Sequence, residues 1–405
     1  MRKLTCTLLF LSFITSIFCI SGRLLISSDL SYTDKSNYTL PEEIPQISSV
    51  KTVHKNQKFA VIPEFRGMAN DKDNHCDVVY DLKVVKPNGQ VWFEKTDLNA
   101  RKGVLDSKDM AYSASLVYKM AFEDEDATGT YTIITTFKDL VGKQDFTTKS
   151  KIKLEEQYKK YKCNKEILDD YINDYYKNPE PEKAIDYYLY VSDIVLSGTD
   201  AVFTPGMAFF AYIFNNNEYL IPHLYEVYPK QSQKTKESII LLLSKLNYDS
   251  KDFMNKLSGL ESQYYGIACR DTSSVTVPEG EITDVSELTK LWGEFFATGC
   301  YKPIYRIVSA LDNADYHGVL DEYGTSEITN PDGTVEIIVD ASNPNIKALI
   351  YGTAQRALEG NYYSHELVYN YCNYMMMNEP LSESQKAALT KISDDYIKDR
   401  QSLKR

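Results

Sequence analysis

The spacing of apolar residues changes once along the chain, and this change restricts the folds that are open to it. Between residues 53 and 154, apolar residues recur at every second position, as in Val78, Tyr80 and Leu82. A period of two is typical of a strand that buries one face. After Leu154 the apolar residues recur three and four positions apart, which is the period of an amphipathic helix. The sequence therefore predicts a β domain followed by an all-α domain.

The β region contains short strands at regular spacing, which predicts a β-sandwich over residues 53–154. One stretch runs from Phe122 through an acidic turn and Gly129 to Tyr131. It resembles the start of a late strand in bacterial immunoglobulin-like and macroglobulin-like domains. The resemblance is confined to this region, and it implies a binding or spacer module without catalytic chemistry.

The clearest helical segment begins at Asp284 and predicts two short helices joined by a tight turn, an αα-hairpin. Asp284 and Glu287 form a capping-box pattern, and Gly299 stands where a left-handed residue ends a helix. Pro303 is predicted at the first position of the second helix. A similar segment restarts at Pro222, 81 residues before Pro303. The helical region thus resembles an irregular HEAT- or TPR-like array.

The predicted organisation follows from these periods and from the breaks between them. Its parts are a signal peptide (1–21), a polar linker (22–52), an Ig-like β-sandwich (53–154), a first helical part (155–270), a connector (271–283), and a second helical part (284–399) with a non-helical insertion (312–344). The insertion is predicted to hold a small β-hairpin on the turn Asn330-Pro-Asp-Gly333.

Capping patterns predict the last three helices. Pro344 is expected to open one helix and Gly360 to end it. Ser364 is expected to cap the next helix. Ser382 and Gln385 form a capping box at the start of the terminal helix.

The N-terminus predicts export. Arg2 and Lys3 precede the apolar run Leu8–Ile20, and Ser21 is small enough for cleavage nearby. No other apolar run is long enough to cross a bilayer, so we expect a secreted or periplasmic protein without a membrane span after cleavage. An uncleaved anchor is the alternative. The net charge of −12 argues against nucleic acid as a partner.

Five cysteines lie beyond the signal, and their wide spacing excludes the common zinc-site patterns. They are Cys76, Cys163, Cys269, Cys300 and Cys372. Export permits disulfides, but the odd number leaves at least one thiol free or paired between chains. Burial as unpaired thiols is the alternative that we favour for most of them.

Two further clusters suggest chemistry. Asp71, Asp73 and Asp77 are candidate calcium ligands in one loop, although the glycine and the distal glutamate of an EF-hand are missing. A solvated turn is the competing interpretation. Cys300 and His317 are a candidate nucleophile and base, to be weighed against a turn cysteine and a solvent-exposed histidine. We find no common catalytic motif and predict no cofactor.

Tyrosine is abundant, with 32 residues. The candidate binding residues are Tyr187, Tyr188, Tyr305, Tyr362 and Tyr363. Such tyrosines either pack their rings in the core or form an aromatic binding surface. The sequence favours an exported, non-enzymatic interaction or scaffold protein that binds a protein partner through its helical array. The alternatives are a glycan- or peptide-binding protein that uses its tyrosine-rich faces, and a cysteine-dependent enzyme centred on Cys300.

Overall fold

The computed structural model describes residues 19–30, 47, 49–105, 107, 110–155, 159–194, 205–268, 277, 279–312, 325–329, 335–339 and 344–402. Strands fill the N-terminal part of these residues, and helices fill the C-terminal part apart from one hairpin. The predicted order, β and then α, is confirmed. The signal segment before residue 19 and the sequon Asn37-Tyr38-Thr39 lie outside the described residues.

The described residues form two compact units. The β unit lies within Met1–Ser27, Ser49–Val53 and Phe59–Glu156, and the helical unit lies within Ser28–Ser48, His54–Lys58 and Gln157–Arg405. The strands of the β unit are β1 (Ser21–Ser27), β2 (Thr52–His54), β3 (Phe59–Arg66), β4 (His75–Val85), β5 (Val91–Val104), β6 (Tyr112–Ser113), β7 (Tyr118–Met120), β8 (Gly129–Asp139) and β9 (Gln144–Glu155).

The strands of the β unit build two sheets. In one sheet β3 pairs with β1, β6 and β7, and the other sheet has the order β2-β9-β8-β4-β5. The alternation predicted for β4 is confirmed, because Val78, Tyr80 and Leu82 are fully buried. These residues share one hydrophobic core with Phe59 and Val61 of β3, in the opposite sheet. Burial of one face of each sheet therefore stabilises the unit.

The predicted linker over residues 22–52 is wrong at its N-terminal end. Residues Ser21–Ser27 form β1, which pairs antiparallel with β3 from Ser21↔Arg66 to Ser27↔Ala60. Ile20, Leu24 and Ile26 are buried in the core of the β unit. The polar residues between these apolar ones suggested a linker. The strand forms because β3, about forty positions away in the sequence, provides its hydrogen-bond partners.

The helical unit follows the predicted period. Its helices are α1 (Lys165–Asp174), α2 (Ala184–Ile194), α3 (Pro205–Asn216), α4 (Ile221–Val227), α5 (Gln233–Lys245), α6 (Lys251–Met254), α7 (Gly259–Ala268), α8 (Val285–Thr298), α9 (Tyr301–Ser309), α10 (Pro344–Ser364), α11 (Glu366–Asn378) and α12 (Glu383–Ser402). In the insertion, β10 (Thr325–Thr329) pairs antiparallel with β11 (Val335–Val339), so the predicted pairing of two strands is confirmed. The predicted turn Asn330-Pro-Asp-Gly333 lies outside the described residues.

The αα-hairpin of α8 and α9 is confirmed together with both of its end signals. Asp284 is the N-cap, and its side chain accepts a hydrogen bond from Ser286 N at 2.5 Å. Glu287 Oε2 accepts from Thr283 N at 3.3 Å, one residue before the position that the predicted capping box requires. Gly299 ends α8 in the left-handed conformation, with φ +68°. Pro303, however, is the third residue of α9 and not the first.

Two other predicted helix ends differ from the structure. Gly360 lies inside α10, which continues to Ser364. Ser364 Oγ donates back to Gly360 O at 3.0 Å, so it belongs to the last turn of α10 and does not cap α11. Ser382 and Gln385 do form the predicted reciprocal capping box, with N–H to side-chain distances of 3.0 and 3.2 Å. A glycine ends a helix only when the residues after it are not helical. Here the residues after Gly360 continue α10, and Tyr362 among them is buried.

Helices α3 and α8 pack closely at Gly293. A Cβ atom at this position would lie 2.4 Å from Cβ of Ala208 and 2.7 Å from Phe209 N. The absent side chain therefore lets the two backbones approach each other.

Part of the predicted connector is bound to α9, because the buried Arg306 guanidinium donates to Val277 O at 3.0 Å and Gly280 O at 3.3 Å. Within the described residues, no helix is both long and apolar enough to span a bilayer.

Candidate functional site

The candidate metal ligands do not converge. Asp71 Oδ1 accepts hydrogen bonds from the backbone N–H groups of Asp73 (2.9 Å) and His75 (2.8 Å), and the latter bond lowers the pKa of Asp71. Asp77 Oδ2 instead accepts from Lys102 Nζ on β5 at 2.7 Å. No group of residues able to hold a metal ion is found in the described part of the chain. The solvated turn is the interpretation that the structure supports.

Of the proposed nucleophile and base, only the nucleophile lies within the described residues. Cys300 precedes α9 and is buried, and its backbone N–H donates to Thr298 Oγ1 at 3.2 Å. His317 lies outside the described residues, as does Cys269. The cysteine-dependent enzyme therefore remains an untested prediction.

The other described cysteines beyond the signal are free thiols with raised pKa values. Burial raises the pKa of Cys76, that of Cys163 to about 11 and that of Cys372 to about 12. These thiols are protonated at neutral pH, and a protonated thiol is a weak nucleophile. Their role is that of small apolar residues, as the sequence suggested.

Three of the five candidate binding tyrosines are in the core. Tyr188 and Tyr362 have exposed fractions of 0% and 1%, so the prediction that they form an exposed aromatic face is wrong. The exposed fraction of Tyr187 is 3%. Tyr305 and Tyr363 are exposed, at 40% and 36%. These two residues remain open to a partner.

Buried hydroxyls explain why tyrosines can occupy this core. The Tyr188 hydroxyl lies 2.7 Å from both Ser238 O and Ser238 Oγ, and the Tyr362 hydroxyl donates to Asn373 Oδ1 at 3.1 Å. A buried hydroxyl that makes such bonds costs little to desolvate. Both rings stabilise contacts between helices.

A groove beside α1 combines aromatic and acidic groups, and we call it the tyrosine groove. One wall is a single face of α1 and the turn that follows it, with Ile167, Asp170, Tyr171, Asp174, Tyr175 and Asn178. The other wall carries Glu180, Lys183 and Tyr187. Its volume is about 250 Å³. Of the five tyrosines predicted to bind a ligand, Tyr187 is the one that lines this groove.

The floor of the tyrosine groove is a rigid set of tyrosine rings. Tyr171 contacts Tyr187 edge-to-face at a centroid distance of 4.7 Å, and it contacts Tyr175 in the same way at 5.2 Å. The Tyr171 hydroxyl donates to Glu180 O at 3.1 Å and so connects the two walls. Such ring pairs prefer this geometry, which holds the floor in place.

Two hydroxyls of the floor make no hydrogen bond. Tyr175 and Tyr187 are more than nine-tenths buried, and within the described part of the chain neither hydroxyl has a hydrogen-bond partner. Burial raises the pKa of both tyrosines, so both hydroxyls are neutral at physiological pH. A neutral hydroxyl can donate and accept, so each of these two can exchange a hydrogen bond with solvent for one with a ligand atom.

The rim of the tyrosine groove is acidic. Glu180 Oε2 lies 2.6 Å from Lys183 Nζ, and Asp174 Oδ1 lies 2.7 Å from the exposed Lys177 Nζ. Asp170 is exposed and makes no ion pair with any residue that the structure describes. Three carboxylates and one ammonium line the groove, which therefore favours a cationic group.

The sequence analysis named Tyr187 but missed the rest of this site, although its signal is present. The lining residues 167, 170, 171, 174, 175 and 178 are spaced as one face of a helix. The tyrosines of this face suggest a buried apolar face, but Asp170 and Asp174 lie on the same face. An acidic residue inside an aromatic stripe indicates that the face meets solvent at that point. The chain matches no protein-family model and no curated protein.

Proposed function

We propose that the protein is an exported, non-enzymatic interaction protein that binds a protein partner through its helical unit. The observation that carries this proposal is the tyrosine groove, because it offers an aromatic floor, hydroxyls that bond no described residue and an acidic rim in one place. Aromatic residues held rigidly at a surface are typical of binding hot spots. Export is supported by the charged and apolar N-terminal segment.

The β unit would serve as an Ig-like spacer or second binding module. The Tyr131 hydroxyl donates back to Ala127 O at 2.9 Å, four residues upstream at the start of β8. A tyrosine that bonds back in this way is a hallmark of Ig-type sandwiches. Trp92 packs its ring against Phe122 at 4.8 Å, and two sheets share one core. These contacts support the resemblance noted around Gly129.

Site-specific photo-crosslinking tests the proposed function. A photoreactive amino acid replaces Ile167, which lines the tyrosine groove and is 39% exposed. Leu260 on α7, 69% exposed and outside the groove, provides the matched control. Irradiation is done with the full-length protein in its native surroundings, followed by identification of the adducts.

We expect one dominant protein adduct from position 167 that is absent from position 260. If no protein adduct forms at position 167, or the same adducts form at both positions, the groove is not the contact surface and the proposal fails.

A further inference from the structure

We propose that the tyrosine groove receives an arginine side chain of the partner protein. This inference rests on the proposed function and specifies the chemical group that the partner supplies. It follows from three separate properties of the groove, namely its charge, its tyrosine hydroxyls and its apolar edge.

The charge requires a cation. Asp170 has no ion pair in the described residues, and the Asp174–Lys177 pair is exposed on both sides, with side-chain exposures of 61% and 58%. Exposed ion pairs contribute little to stability, so the pair with Lys177 does not prevent Asp174 from binding the cation of a ligand. Asp170 and Asp174 are four residues apart on α1, a spacing that places them on adjacent turns of the same face.

The hydroxyls favour a ligand that supplies hydrogen-bond donors as well as charge. The Tyr175 and Tyr187 oxygens can accept hydrogen bonds that the described residues do not provide. A guanidinium carries five N–H donors in one plane, enough to bind a carboxylate through two of them and a tyrosine oxygen through another. A lysine ammonium is a compact, strongly hydrated charge, which matches a flat set of ring edges and carboxylates less well.

The apolar edge fits the stem of the side chain. Ile167 is 39% exposed at the groove, and the rings of Tyr171 and Tyr187 provide the floor. Arginine buries its methylene groups along apolar surface while its charged end binds polar groups. Guanidinium planes also stack on aromatic rings.

Binding of three peptides by the full-length protein tests this inference. The peptides are blocked Gly-Gly-X-Gly-Gly sequences in which X is arginine, lysine or citrulline, the neutral isostere of arginine. Calorimetric titration measures each affinity for the wild type, for Asp170→Asn and for Tyr187→Phe. Asp169→Asn is the matched control, because Asp169 is the neighbouring exposed carboxylate and does not line the groove.

We expect saturable binding of the arginine peptide and at least roughly tenfold weaker binding of the citrulline peptide, since a charge-assisted hydrogen bond is lost. Asp170→Asn should weaken arginine binding by about tenfold, and Asp169→Asn should leave it unchanged. Tyr187→Phe should weaken it several-fold. Higher salt should lower the affinity for the arginine peptide.

Equal affinity for arginine and citrulline, or equal effects of Asp170→Asn and Asp169→Asn, would overturn the inference. The crosslinking experiment separates this failure from that of the proposed function. If the adduct at position 167 persists while excess arginine peptide does not compete with it, the partner binds here through another group.

Discussion

The contact between α3 and α8 allows a sharp test of the helical unit through Gly293→Ala. The new Cβ would lie 2.4 Å from Cβ of Ala208 and 2.7 Å from Phe209 N. Carbon atoms in contact are about 3.5–4.0 Å apart, so the helices would have to separate by about 1 Å. Because a backbone atom cannot rotate away, the overpacking cost should be near the upper end of its usual range, about 3 kcal/mol.

Helix propensity partly offsets this cost. Replacing glycine by alanine in a helix gains about 1 kcal/mol, so the net loss of unfolding free energy should be about 2 kcal/mol. Gly360→Ala in α10 is the matched control, because no atom lies within 4 Å of its new Cβ. At Gly360 no overpacking cost offsets the gain in helix propensity, so we expect the alanine variant to be more stable by up to about 1 kcal/mol.

Urea unfolding followed by far-UV circular dichroism measures both variants. With a slope of about 2 kcal/mol per molar urea, Gly293→Ala should lower the unfolding midpoint by about 1 M and Gly360→Ala should raise it slightly. If both substitutions raise the midpoint equally, α3 and α8 do not approach at Gly293 and the packing described for the helical unit is wrong.

Three more predictions concern pH, a turn and export. Burial raises the pKa of Glu294, whose Oε2 accepts from the Tyr212 hydroxyl at 2.9 Å. The folded state thus binds this proton more tightly than the unfolded state, so the wild type should gain stability relative to Glu294→Gln as the pH falls from 7 towards 4.5. Asp139 accepts hydrogen bonds from three backbone N–H groups at 2.7, 2.9 and 3.1 Å, and Asp139→Ala should lower the melting temperature of the β unit, at a cost of about 2–4 kcal/mol. Since Ile20 is buried and β1 begins at Ser21, mass spectrometry of the exported chain should find its N-terminus at or before Ile20.

Each of these predictions has a result that contradicts it. For Glu294 it is a stability difference from the glutamine variant that stays constant with pH. For Asp139 it is an alanine variant whose β unit has the same melting temperature as that of the wild type. For the N-terminus it is a folded, exported chain that begins at Ser21 or later, which would remove Ile20 from the core of the β unit.

Local signals in the sequence were sufficient for the helix boundaries that depend on neighbouring residues. The cap at Asp284, the left-handed end at Gly299 and the capping box at Ser382 all involve atoms within a few positions of one another. The alternating pattern of β4 was equally clear, because half of its residues must avoid water. The order of β and α regions follows from these periods.

Tertiary structure decided what depends on distant partners. Whether residues 21–27 form a strand depends on β3, whose backbone provides the hydrogen bonds. Whether Gly360 ends a helix depends on the residues after it. Whether Tyr171 and Tyr175 lie in the core or line a groove depends on the segment around Glu180, which the Tyr171 hydroxyl contacts. The period of a sequence shows which residues share a face, but only packing between distant segments decides what that face meets.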